Sequence, residues 1–217
     1  MVHTPSRESG QSDHWRQVLE TSYSKRSLVS LAPGSTVPML RHQIWLVVRG
    51  MVKLGALTFQ GDDLVLGLAG PNEPFGDPFN GVEAFEATTL CATDLLCFSW
   101  REIERDPQLA LGLLQAVAQR HRQSQALLGL MGLRRVEDRL RGFLELLAQE
   151  YGQPCDLGLR LNLRLTHQEL ASALGTTRVT VTRLLGSLRE EGFLQIDAQR
   201  HLVLAYLPRL RGGDSQG

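Results

Sequence analysis

Arg178, Val179, Thr182 and Arg183 stand at i, i+1, i+4 and i+5, so on a helix they share one surface. Two guanidinium groups there can bond a guanine edge or phosphate oxygens, and the valine and threonine methyl groups can meet a thymine methyl. That is the chemistry of a helix lying in a DNA groove. The neighbouring residues supply the helix: Thr177 is placed to cap it, and Val181, Leu184, Leu185 and Leu188 form an apolar stripe on the other side. Just upstream, Thr166 and Glu169 have the spacing of a capping box, followed by an inward stripe of Leu170, Ala171 and Leu174. Gly175 ends this first helix, where a residue without a Cβ takes the left-handed conformation at least cost. Residues 166–188 are therefore predicted to be a helix-turn-helix. The blander alternative is an αα-hairpin with a solvated Arg/Thr face.

The chain around this segment has 217 residues, enough for two small domains each with its own core. Its hydrophobic fraction of 42% is ordinary for a globular protein. No apolar run approaches the roughly 20 residues that span a bilayer, and the first twenty residues are polar, without a signal-peptide core. The expectation is a cytoplasmic protein without a membrane partner. Net charge is zero, which does not exclude nucleic acid, because attraction depends on where charge sits. Only Lys25 and Lys53 are lysines, so nearly every cation is an arginine capable of bidentate contact. Cys91, Cys97 and Cys155 form no Cys-x-x-Cys pair, so no disulfide framework, zinc set or iron–sulfur set is expected. Cys91 and Cys97 read as small buried hydrophobes, with redox sensing as the alternative. No nucleophile elbow, phosphate loop or His-Glu-x-x-His stands in the chain, so no enzyme and no metal site are expected.

The fold class that follows is α+β: an N-terminal antiparallel β-roll (the strand spacing alone suits a sandwich or a roll), a long central helix and a C-terminal winged helix-turn-helix. Residues 1–20 form a flexible lead-in, and 21–106 the roll, with strands at 44–48, 52–57, 64–68, 88–92 and 95–100 between Gly-, Pro- and Asp-rich turns. Residues 107–133 are predicted as a helix with an apolar stripe of Leu109, Leu113, Ala116, Val117, Leu127, Leu128 and Met131, interrupted by Arg120 and Gln123-Ser124. Pairing with a second copy would bury that stripe and make this the dimerisation helix. Folding back over its own roll could bury the same stripe, but the dimer is the favoured expectation, because a paired reader also matches palindromic DNA. The winged-helix domain spans 134–210: a helix over 136–151 stopped at Gly152-Gln153-Pro154, a strand over 159–165, the helix-turn-helix, and a hairpin of 193–196 with 201–204. Residues 211–217 are a flexible tail.

This order of elements resembles the CRP/FNR family of bacterial transcription regulators, and the resemblance covers nearly the whole chain. It rests on Ile44–Leu54 and Pro74-Phe75-Gly76-Asp77 in the roll, and above all on Gly175–Gly186 with Gly152–Cys155 and Leu165–Gln168, which look like the family's cyanobacterial nitrogen-control branch. The resemblance implies a homodimer on palindromic double-stranded DNA of the GTA…TAC kind, with RNA polymerase as a protein partner. Arg178, Val179 and Arg183 would read bases, with Thr177 and Thr182 on the same face, and Gln168 would hold a phosphate without specifying sequence. A roll of this family is cyclic-nucleotide-binding-like, with Phe75 and Gly76 in the effector pocket. Here the segment 75–88 contains no arginine, and Glu83 and Glu86 would repel a phosphate, so cyclic AMP is not expected. For 2-oxoglutarate, Arg120 falls where the branch places its helix arginine and Gln125 where it places an acid, while Glu83 or Ala84 replaces the roll's basic residue. Arg120 has a second reading, as a polar residue fixing register at a dimer seam. His42 and His121 are isolated, so haem is not expected. Another class remains open: a protein–protein docking module of transcription complexes whose helix-turn-helix does not read DNA.

Overall fold

The computed structural model describes residues 26–57 and 63–205. The lead-in and tail expected at the two ends lie outside these residues. In the N-terminal half the described residues form a roll of seven strands, β1 (Val29–Leu31), β2 (Gln43–Arg49), β3 (Val52–Leu57), β4 (Asp63–Ala69), β5 (Pro74–Gly76), β6 (Phe85–Thr89) and β7 (Thr93–Ser99). They pair antiparallel in two sheets, β1-β7-β2-β5 and β4-β3-β6. The central strands read as continuous apolar runs because both of their faces are buried. On β2, Trp45 and Val47 point between the sheets with Val52, Leu54 and Phe75. The alternate Ile44 and Leu46 point the other way, with Leu96 and Phe98 of β7, onto helices. The strand expected at 88–92 lies three residues earlier. Its register against β3 runs from Phe85 opposite Ala56 to Thr89 opposite Val52, and residues 90–92 bend toward β7.

Those helices are α1 (Trp100–Arg105) and α2 (Pro107–Met131). Asp106 caps α2 by accepting the N–H groups of Gln108 at 3.0 Å and Leu109 at 3.2 Å, with Pro107 in the first turn, where no donor is needed. All of the apolar stripe but Leu128 is used within the protomer, with Leu127 and Met131 packed on the C-terminal core. Leu109, Leu113 and Ala116 pack on Ile44, Leu46, Leu96 and Phe98, so the roll itself covers the stripe assigned to a partner. The row left in solvent is Leu128 of the expected stripe together with Leu111 and Leu114.

After a break at Gly132 come α3 (Val136–Tyr151), β8 (Gly152–Cys155), β9 (Gly158–Leu161), α4 (His167–Leu174), α5 (Arg178–Glu190), β10 (Leu194–Ile196) and β11 (Leu202–Leu204). The sheet order is β10-β11-β9-β8. Gly152-Gln153-Pro154 ends α3 as expected but continues as a strand, tolerated with its proline because β8 is the sheet edge. The strand expected over 159–165 stops at Leu161, where the sheet runs out of partner: β11 pairs only with Leu159 and Arg160. Leu140, Phe143, Leu144 and Leu147 of α3 build one core with Leu170, Leu174, Val181 and Leu188, and that core extends to Met51 and Leu68 of the roll. The two halves are therefore packed together. Among the described residues no helix is long and apolar enough to cross a membrane.

Gly175 sits at φ +59, where a Cβ would meet only Arg139 Nη1 at an ordinary 4.0 Å, whereas Gly186 lies inside α5 with nothing within 4 Å. Gly175→Ala should therefore cost about 1–2 kcal/mol from backbone strain alone. Gly186→Ala should stabilise by about 0.5–1 kcal/mol. Urea denaturation of both variants checks this; equal shifts would remove the conformational account.

Candidate functional site

The helix-turn-helix is set by short local bonds. Thr166 Oγ1 accepts the Glu169 N–H at 3.1 Å, and Glu169 returns the bond to the Thr166 N–H at 2.6 Å. Thr177 Oγ1 accepts the Thr180 N–H at 3.2 Å and opens α5. Burial of Val181, Leu184, Leu185 and Leu188 then fixes the rotation of α5. Arg178, Val179, Thr182 and Arg183 are left exposed together, with Thr177 and Gln168 exposed beside them. Val179 leaves 78% of its surface to solvent between the two arginines. The Thr182 hydroxyl is already committed, donating to the Arg178 carbonyl at 2.9 Å and lying 2.7 Å from His167 Nδ1. Its methyl group is what it can offer a base. The His167 contact ties α4 to α5, and at a separation of fifteen residues no pattern in the sequence announces it.

The rest of the unit braces this face. Arg141 bonds Glu137 at 3.0 Å and also Glu191, and its guanidinium lies 5.0 Å over the Phe193 ring, joining α3 to the end of α5 and the hairpin. In the hairpin turn, Asp197 accepts the His201 N–H at 2.8 Å and the Gln199 N–H at 2.9 Å. These bonds hold its carboxyl below the usual range, the His201 bond foremost and against the opposing effect of burial. The turn presents Arg200 to solvent at φ +66.

A cavity of about 280 Å³ opens between the roll and α2. Phe75, Phe79, Val82, Phe85, Leu54 and Val117 give it apolar walls, and its polar groups are Arg120, His121, Ser124 and Asn80. The structure thus brings Phe75, Gly76 and Arg120 together on one cavity. Gln125 is exposed on α2 outside the lining, and neither Glu83 nor Glu86 lines it. Arg120 faces its own roll, donating from Nη1 to the Leu68 carbonyl at 3.3 Å.

Behind Arg120 lies a polar junction that pattern reading missed. The Tyr151 hydroxyl donates to Glu73 at 2.8 Å and accepts from Gln123 Nε2 at 2.7 Å. Gln123 also donates to Glu150 at 2.6 Å and accepts the Leu68 N–H at 3.2 Å. Burial, then the carboxylates of Glu73 and Glu150, push the Tyr151 phenol well above 10. Burial lowers Arg120, against the raising influence of Glu73, Tyr151 and Glu150. The one signal for the junction was the polar interruption of the α2 stripe at Arg120 and Gln123.

Residues 138–212 match the Crp-like helix-turn-helix domain. The chain is 34% identical to a global nitrogen regulator of Synechococcus elongatus over 74% of this chain and 77% of that protein. It is also 34% identical to the regulatory protein CysR of the same organism, over 78% and 80%. A solved CRP/FNR-family transcriptional regulator of Thermus thermophilus superposes with a TM-score of 0.65 at 25% identity, covering 82% of this chain and 93% of that one.

Because the fold holds Tyr151 protonated, its contribution to stability is full below the ordinary phenol value of 10.0 and is lost as pH rises from there through the raised folded value. Denaturation midpoints should therefore fall more steeply between about pH 9 and about pH 11 in the wild type than in Tyr151→Phe. Parallel pH curves would contradict the buried phenol.

Proposed function

Since the chain belongs to the CRP/FNR family of DNA-binding transcription regulators, we propose that it works as a homodimer whose two copies of α5 read a palindromic GTA…TAC-like operator. The observation that carries this is the exposed face of Arg178, Val179, Thr182 and Arg183, held outward by the buried stripe beneath it. Arg178 and Arg183 would bond base edges, and Val179 with the Thr182 methyl would meet thymine methyls. Gln168 and Thr177 stand at the N-terminal ends of α4 and α5, where backbone N–H groups favour phosphate. Arg200 at the hairpin tip is a further candidate for a phosphate. RNA polymerase is the protein partner we expect on bound DNA.

The dimer seam we propose is the exposed row on α2. Leu111, Leu114 and Leu128 are 47%, 65% and 74% exposed. They fall on one side of the helix, and Gln125 shares that side by helical spacing. This gives Gln125 a place at the seam and leaves Arg120 to the cavity.

Family effectors include anions, and the cavity is poorly matched to 2-oxoglutarate. Among the described residues Arg120 is the only arginine or lysine lining it, and its charge already faces Glu73 and Glu150. Two ligand carboxylates would meet one cation that Glu73 and Glu150 already attract. Titration calorimetry with 2-oxoglutarate to millimolar concentration should give no binding heat. Saturable heat lost in Arg120→Ala would reverse that conclusion.

Selection from a random DNA pool should recover a palindrome, and Arg178→Ala should lose about 1–3 kcal/mol on it while relaxing preference at one base pair per half-site. Affinity should fall steeply with salt as counterions are released. Equal weakening on every sequence would remove the base-reading role of Arg178. A salt-insensitive interaction would favour the docking module instead.

A further inference from the structure

Tyr151 closes α3, the first helix of the DNA-binding unit, and its ring lies against Gly70 of the roll so tightly that a Cβ at Gly70 would fall 2.5 Å from it. Its hydroxyl links three bodies: Glu73 in the roll at 2.8 Å, Gln123 on α2 at 2.7 Å, and through Gln123 its own neighbour Glu150 at 2.6 Å. Gly70 donates its N–H to the same Glu73 carboxylate at 2.8 Å, and the Leu68 N–H fills the Gln123 carbonyl oxygen at 3.2 Å. Glu73 and Gln123 are only 5% and 4% exposed. Rotating the C-terminal unit against the roll would strand several buried polar groups at once, so the network admits one orientation rather than a range.

None of these residues belongs to the exposed face of α5, so the network makes no contact with a half-site. What it fixes is the position of α5 relative to α2, the helix that carries the exposed leucine row. Dimeric helix-turn-helix proteins read half-sites about one helical turn apart, and the tolerated separation depends on how rigidly each head is held to the seam. We propose that Tyr151, through Gln123 and Glu73, is a positioning residue that sets the half-site separation this regulator accepts. The proposal rests on the homodimeric reader argued above. Arg120 lines the cavity and bonds the carbonyl of Leu68, the residue whose N–H enters the network, so the cavity wall and the lock share one stretch of β4.

The test measures binding of the full chain to duplexes carrying two half-sites at the preferred separation, at one base pair more or less, and to a single half-site. Tyr151→Phe keeps the ring on Gly70 and removes the hydroxyl; Gln123→Met removes the central amide at similar volume and serves if the first variant does not fold. Wild-type affinity should drop about tenfold or more when the separation changes by one base pair. In a folded variant that penalty should shrink to about threefold or less, with single half-site affinity unchanged. A variant that keeps the wild-type separation profile overturns the proposal, and so does one whose half-site affinity falls in step with its palindrome affinity. A wild-type chain that binds neither palindrome nor half-site overturns the dimeric reader itself, and the lock's role with it.

Discussion

Everything in the lower half of this molecule is oriented by a polar junction placed where two apolar cores meet. Around Leu68 the roll presents a backbone N–H and carbonyl, and Gln123 and Arg120 take one each, at 3.2 and 3.3 Å. Tyr151 then ties the next helix to the same place through Glu73. Apolar contacts such as Leu68 and Met51 against the C-terminal core hold the halves together but would tolerate sliding. Directional bonds buried among them do not, because in low dielectric each unmet donor or acceptor carries its full desolvation cost. The apolar cores provide adhesion; the junction provides one angle.

The same division of labour recurs at smaller scale in the helix-turn-helix. Val181, Leu184 and Leu188 make α5 stick, but Thr166, Gly175 and Thr177 decide where the two helices begin and end. Because caps and the left-handed glycine act through backbone geometry, they operate without touching the outer face. Thr182 is the exception. Its hydroxyl serves the structure through Arg178 and His167, which limits its part in recognition to apolar contact.

Legibility in the sequence followed this division. Features made by neighbours in the chain were readable: the span of α3 over 136–151, the capping box, Gly175, and the face of residues 178–183 all follow from periodicity and short-range spacing. Features made by distant parts were not. The stripe of Leu109, Leu113 and Ala116 is equally consistent with a partner helix and with the protomer's own roll, and only the position of Ile44 and Phe98 decides. Gly152-Gln153-Pro154 reads in the sequence as a helix stop because the strand it opens is visible only once β9 lies beside it. Gln123 shows in the sequence only as a polar break in the α2 stripe and Tyr151 not at all; they matter because Glu73, far away in sequence, faces them across a fold boundary.

This explains why the two ends of the chain differ in how closely they follow a family pattern. On the outer face of α5 the Thr182 hydroxyl is bonded within the protein, whereas the side chains of Arg178, Val179 and Arg183 stand exposed and, on the proposed reading, answer to DNA. Arg120 is answerable twice, to the cavity it lines and to Leu68 and the acids behind it. A new ligand chemistry in the cavity must therefore keep Arg120, and Phe75 is held by the inter-sheet core, so the exposed Phe79 and Val82 are the wall positions with the most freedom to change. Aromatic and aliphatic walls around one offset guanidinium are what such a constraint leaves. The carboxylates bonded in the junction are the same ones that hold the charge of Arg120 against its burial.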